Sequence, residues 1–356
     1  MLKFKQLSLH PLAFTTVYPL IAWLLFEWTK DSTLFVILIC YVLGLVCITI
    51  HELGHVLASY VAGMKLHFMS AGPLLLLPNK QGKIKVSMNS DLSMMLGMQS
   101  SYIPSTTLSD KELQQKMIPT YLGGPLANLL AIAAGFLIRL IPIENVWLWD
   151  TTSYFIIINM ALLFGTALPF GSYTDGANVS QLIRRKNMSL YREYNLYLNP
   201  DYKLNAQTTN DFEQRLSNIP QLSQCYNIGI MLIQYHTLHS NYEHSLRIID
   251  QLISKLTKGD GLIMENLLYF YRGLLLWTSK QDIDQDTLMR LNNIDYAYGR
   301  TFCYLAKSMI DATKGKQAYN HQHLEAAKQS VHKIMDHRQE DIVSYCIQSV
   351  QNEMCA

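Results

Sequence analysis

The chain has little charge and few cysteines, and each shortage argues against a class of protein. Only 16% of its 356 residues are charged, and the net charge is +2. No basic run interleaves with aromatic residues, so we expect no nucleic-acid partner. The six cysteines are scattered, and no two are spaced as Cys-x-x-Cys. This pattern argues against a disulfide framework and a cysteine zinc site, and suits a reducing compartment.

Charge is scarcest in long stretches of the first half. A membrane-spanning helix needs about 20 apolar residues. Four segments meet this need, namely 11–28, 34–62, 117–140 and 152–170. No small-residue cleavage site follows the lysines before the first segment, so we predict an uncleaved first helix. The sequence predicts an α-helical multi-pass protein of the cell membrane.

Lysine and arginine are unevenly shared among the loops. Lys3 and Lys5 precede the first predicted span, and six lysines lie in the loop 64–116. A basic tripeptide, 184–186, follows the fourth span, whereas the loop 141–151 has no Lys or Arg. By the positive-inside rule, we predict that the N-terminus, the C-terminus and the loop 64–116 are cytoplasmic.

The second predicted span contains the sequence His-Glu-Leu-Gly-His at 51–55. In a helix, His51 and His55 share one face, so both imidazoles can bind one metal ion. Glu52 lies beside them and can act as a general base toward a water held by the metal. A charged side chain in the bilayer costs on the order of 3 kcal/mol, which favours a liganded site over a chance match.

A catalytic zinc site usually has three protein ligands. Asp175, in the segment ALPFGSYTDGAN, follows the end of the fourth predicted span. Its carboxylate can complete the site from a neighbouring helix, or Asp-Gly can form a surface turn. Asn128, at the end of YLGGPLAN, can bind a substrate carbonyl or an oxyanion. Alternatively, Asn128 joins neighbouring helices by hydrogen bonding.

Together these motifs resemble the site-2 protease family of intramembrane zinc metalloproteases, of the bacterial type without a PDZ domain. The resemblance rests on HELGH in one span, GGPLAN opening the next and Pro…Asp-Gly after the last, over about residues 34–180. It implies that Glu52 is the general base and that Asn128 lies in the active-site region. It also implies one Zn²⁺ per chain, with the ligands His51, His55 and Asp175.

The last motif departs from the family pattern. Thr166 stands where the family has an asparagine, and six positions instead of five separate Pro169 from Asp175. The missing asparagine would remove a contact that positions substrate. The extra residue changes the spacing that supports Asp175 as the third metal ligand. No other nearby carboxylate is a candidate for that ligand.

The loop between the second and third spans contains a predicted hairpin. Two strand-like runs, LLLLP and KIKVSMN, flank Asn-Lys-Gln-Gly. A sheet edge near the metal could hold a substrate in extended form by strand addition. The alternative is a structural hairpin that rests on the membrane surface. His67, a lone histidine in this loop, is predicted to be structural.

The chain is predicted to divide into a membrane-embedded metalloprotease domain at 1–186, a Tyr-rich linker at 187–204 and a cytoplasmic all-α domain at 205–356. The periodicity of the last part predicts helices at 220–238, 242–257, 261–279, 284–293, 295–314, 320–336 and 338–353. The segment 240–246 resembles the turn of a tetratricopeptide repeat, which would offer a surface for a protein partner. A plain helical bundle is the alternative. His236 and His239 receive no role.

The sequence therefore predicts an intramembrane zinc endopeptidase that works near the cytoplasmic face, surrounded by lipid. Its substrate would be a membrane-associated peptide or a single-span membrane protein, such as a signal peptide, a peptide precursor or a regulator anchor. The alternative is a non-catalytic membrane adaptor or immunity factor for peptide processing or export, acting through its helical domain. The complete HELGH set favours the protease, because decayed proteases lose the glutamate or a ligand first.

Overall fold

The computed structural model describes residues 13–78, 83–89, 95–141, 146–169, 174–257, 262–294, 298, 300–331 and 337–354. The chain divides into two compact units, Met1–Asn195 and Leu196–Ala356. The first unit combines long apolar helices with a small sheet, and the regular elements in the described part of the second unit are all helices.

Three helices of the first unit are long and apolar enough to cross a membrane. They are α2 (Ser32–Val61), α3 (Asp110–Arg139) and α4 (Val146–Ala167). They match the second, third and fourth predicted spans, but α3 and α4 begin earlier than predicted. In α3 the turns before the predicted span are polar, and Ser109 and Glu112 form a capping box at the start of the helix. Hydropathy alone does not detect such turns.

The first predicted span, 11–28, is not a continuous α-helix over its described part. A π-helical turn, Ala13–Val17, leads into α1 (Tyr18–Thr29), which has 12 residues. Pro19 lies in the first turn of α1, where its missing N–H costs least. Residues 11 and 12 lie outside the described part. Within that part, α1 is shorter than the roughly 20 residues of a spanning helix.

Small residues bring α2 and α3 into direct backbone contact. A Cβ atom on Gly54 would lie 2.4 Å from the carbonyl oxygen of Gly123, and a Cβ on Gly123 would lie 2.4 Å from that of Gly54. This close crossing is typical of helices in lipid. On the outer surfaces, Leu57, Leu130 and Leu137 each expose more than half of their area. An apolar surface of this extent indicates association with a membrane.

Between α2 and α3 lies a four-stranded antiparallel sheet with the order β3-β2-β1-β4. The strands are β1 (Lys65–Ala71), β2 (Leu74–Pro78), β3 (Ile84–Met88) and β4 (Met98–Tyr102). β2 and β3 pair as the predicted hairpin, whose connection at 79–82 lies outside the described residues. β1 and β4 extend it to a sheet, because β4 returns along β1 after an intervening loop.

The predicted Tyr-rich linker, 187–204, contains a helix. After α5 (Asp175–Ile183), the helix α6 (Met188–Leu198) buries Tyr191 against Leu113 and Leu182 in a core of the first unit. The Asn195 side chain binds both the amide nitrogen and the carbonyl oxygen of Ile103, at 2.6 and 3.1 Å. The boundary between the compact units therefore falls after Asn195.

The second unit agrees closely with the predicted helices. Seven of its helices match predicted segments: α8 (Leu222–Leu238), α9 (Tyr242–Ser254), α10 (Leu262–Thr278), α11 (Gln285–Leu291), α12 (Arg300–Thr313), α13 (Gln317–Ser330) and α14 (His337–Met354). An additional helix, α7 (Ala206–Asn218), was not predicted. It is polar and buries only Thr209, Phe212 and Leu216, so its apolar stripe is short.

Candidate metal centre

The structure brings His51, His55 and Asp175 together. The Nε2 atoms of the two histidines lie 3.1 Å apart, and Asp175 Oδ2 lies 3.3 Å from His51 Nε2 and 3.5 Å from His55 Nε2. Zinc bonds of about 2.0–2.1 Å in a tetrahedral arrangement place the donor atoms roughly 3.3 Å apart. The three donors therefore already have the spacing of zinc ligands.

Two helices separated in sequence supply these ligands. Both histidines lie on α2, one turn apart, and both are buried. Asp175 is the first residue of α5, directly after Thr174, whose side chain caps the helix by accepting a bond from Ala177 N. The Asp-Gly pair thus begins a helix. This position turns the carboxylate toward the histidines.

Asp175 is held as a carboxylate. Burial raises the pKa of its side chain, but hydrogen bonds with His51 and His55 outweigh this effect, so the pKa lies below its usual value. The charged form is the one that binds a metal ion. The donor set of two imidazoles and one carboxylate also matches that of known catalytic zinc sites, which fits a resident zinc ion.

The tautomer of His55 is fixed by α3. His55 Nδ1 lies 2.7 Å from the carbonyl oxygen of Thr120. A carbonyl oxygen only accepts, so Nδ1 carries the proton and donates it. The Gly124 amide nitrogen is farther from Nδ1, at 3.3 Å, so the carbonyl contact governs. His55 Nε2 is left with a lone pair that faces Asp175.

Asn128 has the equivalent position beside His51. It is fully buried, and its Nδ2 atom lies 3.0 Å from His51 Nδ1. Its Oδ1 atom has no hydrogen-bond partner among the described residues. A half-turn of the amide exchanges these atoms. Oδ1 then accepts a bond from His51 Nδ1–H, which leaves His51 Nε2 free to bind a metal.

The GGPLAN segment also provides the space at the ligands. A Cβ atom on Gly124 would lie 2.4 Å from His55 Nε2 and 2.7 Å from His51 Nε2. Only glycine leaves this volume open. The two glycines of this segment have separate roles. Gly123 allows the helix crossing, and Gly124 keeps the space beside the histidines clear.

Glu52 is buried beside the ligands and interacts electrostatically with His55 and Asp175. The residue before β4, Gly97, approaches it closely, since a Cβ atom there would lie 2.6 Å from Glu52 Oε1. Gly97 also has φ +96°, which favours glycine. The start of an outer strand therefore lies against the carboxylate.

Thr166, which stands at the family's asparagine position, bonds within its own helix. Its hydroxyl donates to the carbonyl oxygen of Leu162 at 2.9 Å. In α4, Asn159 donates to Cys47 Sγ at 3.0 Å and to Phe155 O at 2.8 Å. Asn159 thus joins α4 to α2.

Comparison of the chain with protein-family models, with curated proteins and with solved structures found no match. The site itself is therefore the basis for assigning a function. Its main features are three convergent ligand atoms and a neighbouring glutamate. Thr120 and Asn128 also contact the Nδ1 atoms of the two histidines and orient their rings.

Proposed function

We propose that the protein is an intramembrane zinc endopeptidase similar to the site-2 proteases, with the zinc ion bound by His51, His55 and Asp175. One observation carries this proposal: three ligand atoms lie 3.1–3.5 Å apart inside a unit of apolar helices. Glu52 borders them. A buried cluster of this kind in a membrane helix is a functional site by default, because leaving it unliganded is costly.

The residues have distinct tasks in peptide hydrolysis. The chemistry that a bound zinc ion supplies is Lewis-acid polarisation of a carbonyl and acidification of water. Glu52 accepts a proton from the attacking water while the water oxygen bonds to the peptide carbon. The C–N bond then breaks, and Glu52 returns the proton to the leaving amine nitrogen. Thr120 and Asn128 hold the imidazoles in their ligating tautomers.

The sheet suggests how a substrate reaches the site. The peptide bonds of a helical substrate are shielded by its own hydrogen bonds, so the segment must unwind before it is cut. β4 is an edge strand of the sheet, and the residue before it lies close to Glu52. An extended peptide that adds to β4 would run past the carboxylate. The substrate class is a membrane-spanning or membrane-associated peptide.

The remaining parts have supporting roles in this proposal. The helices α2, α3 and α4 cross the cell membrane, with the loop 64–116 and the C-terminus in the cytoplasm, as the distribution of Lys and Arg predicts. A cytoplasmic N-terminus requires a fourth crossing, by the segment 11–28. The second unit is a helical, repeat-like module that binds a protein partner or presents substrate. Stacked helix pairs of this kind form concave binding surfaces.

The test uses the full-length protein in its own membrane. Cells that carry the wild type or Glu52→Gln are compared for membrane peptides that accumulate uncut. Each accumulating peptide is then incubated with purified wild type, Glu52→Gln and Glu27→Gln. Glu27 is an exposed glutamate near the end of α1 and serves as the matched control.

We expect Glu52→Gln to retain zinc and lose cleavage, whereas Glu27→Gln retains both. Asp175→Asn should lose the zinc ion of this site. Cleavage that persists in Glu52→Gln would contradict the protease mechanism. If the wild type binds zinc at this site but cuts no membrane peptide, the result would favour the alternative function, a non-catalytic adaptor.

A further inference from the structure

A second group of potential metal ligands lies in the other compact unit. Glu213 on α7, His236 on α8 and His244 on α9 bring their ligand atoms within 4.8 Å of one another. Glu213 Oε1 lies 2.9 Å from the Nε2 atoms of both histidines. We propose that these residues form a second binding site for a divalent transition metal such as zinc, which joins three helices.

The two imidazoles are oriented as a pair of metal ligands would be. The rings stack with centroids 4.1 Å apart and an interplanar angle of 28°, and both direct Nε2 to one oxygen. Two charged rings at this distance would repel each other, so at least one ring is neutral and donates from Nε2 to Glu213. Imidazole binds metals in its neutral form, so the same rings can bind an ion when their Nε2 atoms carry no proton.

The donor set and the exposure suit an accessible metal site. Two imidazoles and one carboxylate bind zinc in several catalytic sites and leave a fourth position for water. His236 is buried, whereas Glu213 and His244 are partly exposed. The donor separations of 2.9 Å are shorter than the roughly 3.3 Å of a tetrahedral zinc site. A small outward movement of the two partly exposed side chains would accommodate the ion.

The position of the site indicates what the metal would do. His236 lies near the C-terminal end of α8, and His244 lies in the first turn of α9. A shared ion would therefore fix the turn between these two helices. Glu213 would attach α7 to the same point. Metal binding of this kind contributes directly to folding stability.

Arg247 provides a specific test. Its Nη2 atom lies 2.6 Å from His244 Nδ1 and can only donate, so in this state Nδ1 accepts and Nε2 carries the proton. When Nε2 binds a metal ion, the proton must move to Nδ1. The exposed Arg247 side chain must then turn away. Arg247 thus competes with the metal, so Arg247→Ala should increase the affinity. The expected size is about tenfold, the lower end of the changes that follow when the partner of a metal-binding histidine is altered.

The experiment measures zinc bound per full-length chain in detergent, after dialysis against zinc at a buffered free concentration. The wild type should bind two equivalents. His236→Gln and Glu213→Gln should each lose one and retain the other. The matched controls are His239→Gln, directly after α8, and Glu243→Gln, in the first turn of α9, both of which lie outside the trio. Both should bind two equivalents.

Variants of each site distinguish zinc bound in the first unit from zinc bound in the second. Asp175→Asn should lose the zinc of the first unit and keep that of the second. If the wild type binds one zinc ion that depends only on Asp175, the second site is refuted while the proposed function stands. If Arg247→Ala, measured by cobalt absorption titration, leaves the affinity unchanged or lower, the proposal is also overturned. The Arg247→Ala variant keeps all three proposed ligands, so this measurement does not depend on removing one of them.

Discussion

The Nδ1 atom of His55 donates to the carbonyl oxygen of Thr120 at 2.7 Å, and this contact joins α2 to α3. The ligating state of a histidine on one helix is therefore set by the backbone of the next. The same logic applies to His51 and the Asn128 amide, 3.0 Å away. Helix packing and metal affinity are therefore coupled in this unit.

Gly124→Ala should abolish zinc binding in the first unit while the protein stays helical. The new methyl group would lie 2.4 Å from His55 Nε2 and would push the imidazole from its position. Gly44→Ala in α2 is the control, because no atom lies within 4 Å of a Cβ atom there. Zinc content and circular dichroism report the result. Wild-type zinc binding in Gly124→Ala would show that the histidines are not held as described.

Asn128→Ala should weaken zinc binding in the first unit by about 10- to 100-fold, because His51 loses the partner that orients it. Asn128→Asp should restore most of the affinity, since a carboxylate also accepts a bond from Nδ1–H. Competition with a zinc chelator measures both effects. If Asn128 acted only on substrate, the alanine variant would bind zinc normally and change only the KM for peptide.

Arg338→Met should destabilise the second unit by on the order of 3 kcal/mol, because several buried carbonyl groups lose their donor. The buried guanidinium donates to the carbonyl oxygens of Leu196 and Tyr197 and to Gln234 Oε1, at 2.6–2.9 Å. Arg338→Lys keeps the charge but lacks the planar fork, so its loss should be intermediate. Urea unfolding followed by circular dichroism gives the free energies. Equal stability of all three proteins would contradict this account.

The stability of the first unit should fall as the pH decreases from about 6.5 to about 4. Burial lowers the pKa of His67 from 6.5 to about 4, so the folded state binds this proton less readily than the unfolded state. Stability from this source is complete above pH 6.5 and is lost on acidification. Thermal unfolding of His67→Asn should show a weaker decrease over the same range. Identical pH profiles for the two proteins would refute the assignment.

Periodicity and hydropathy accounted for most of the helices, because they report local properties of the chain. The apolar runs indicated α2, α3 and α4, and the spacing of apolar residues indicated the seven helices from α8 to α14. Hydropathy and periodicity did not predict helical turns made of polar residues. The start of α3 is held by a capping box, and α7 has a short apolar stripe. The helix α6 lies within the predicted Tyr-rich linker, 187–204.

The sequence by itself determined that His51 and His55 share a face, since four residues make about one helical turn. It did not determine how Asp175 meets them, because residues far apart in the chain are brought together only when α5 packs against α3 and α4 and brings its first residue to the histidines of α2. Tertiary structure also assigned Asn128 to His51 and Gly124 to the space at the ligands. It gathered Glu213, His236 and His244 from three helices, although their spacing follows no motif. A local sequence pattern specifies individual helices and strands. Contacts between them depend on tertiary packing, which a short stretch of sequence does not reveal.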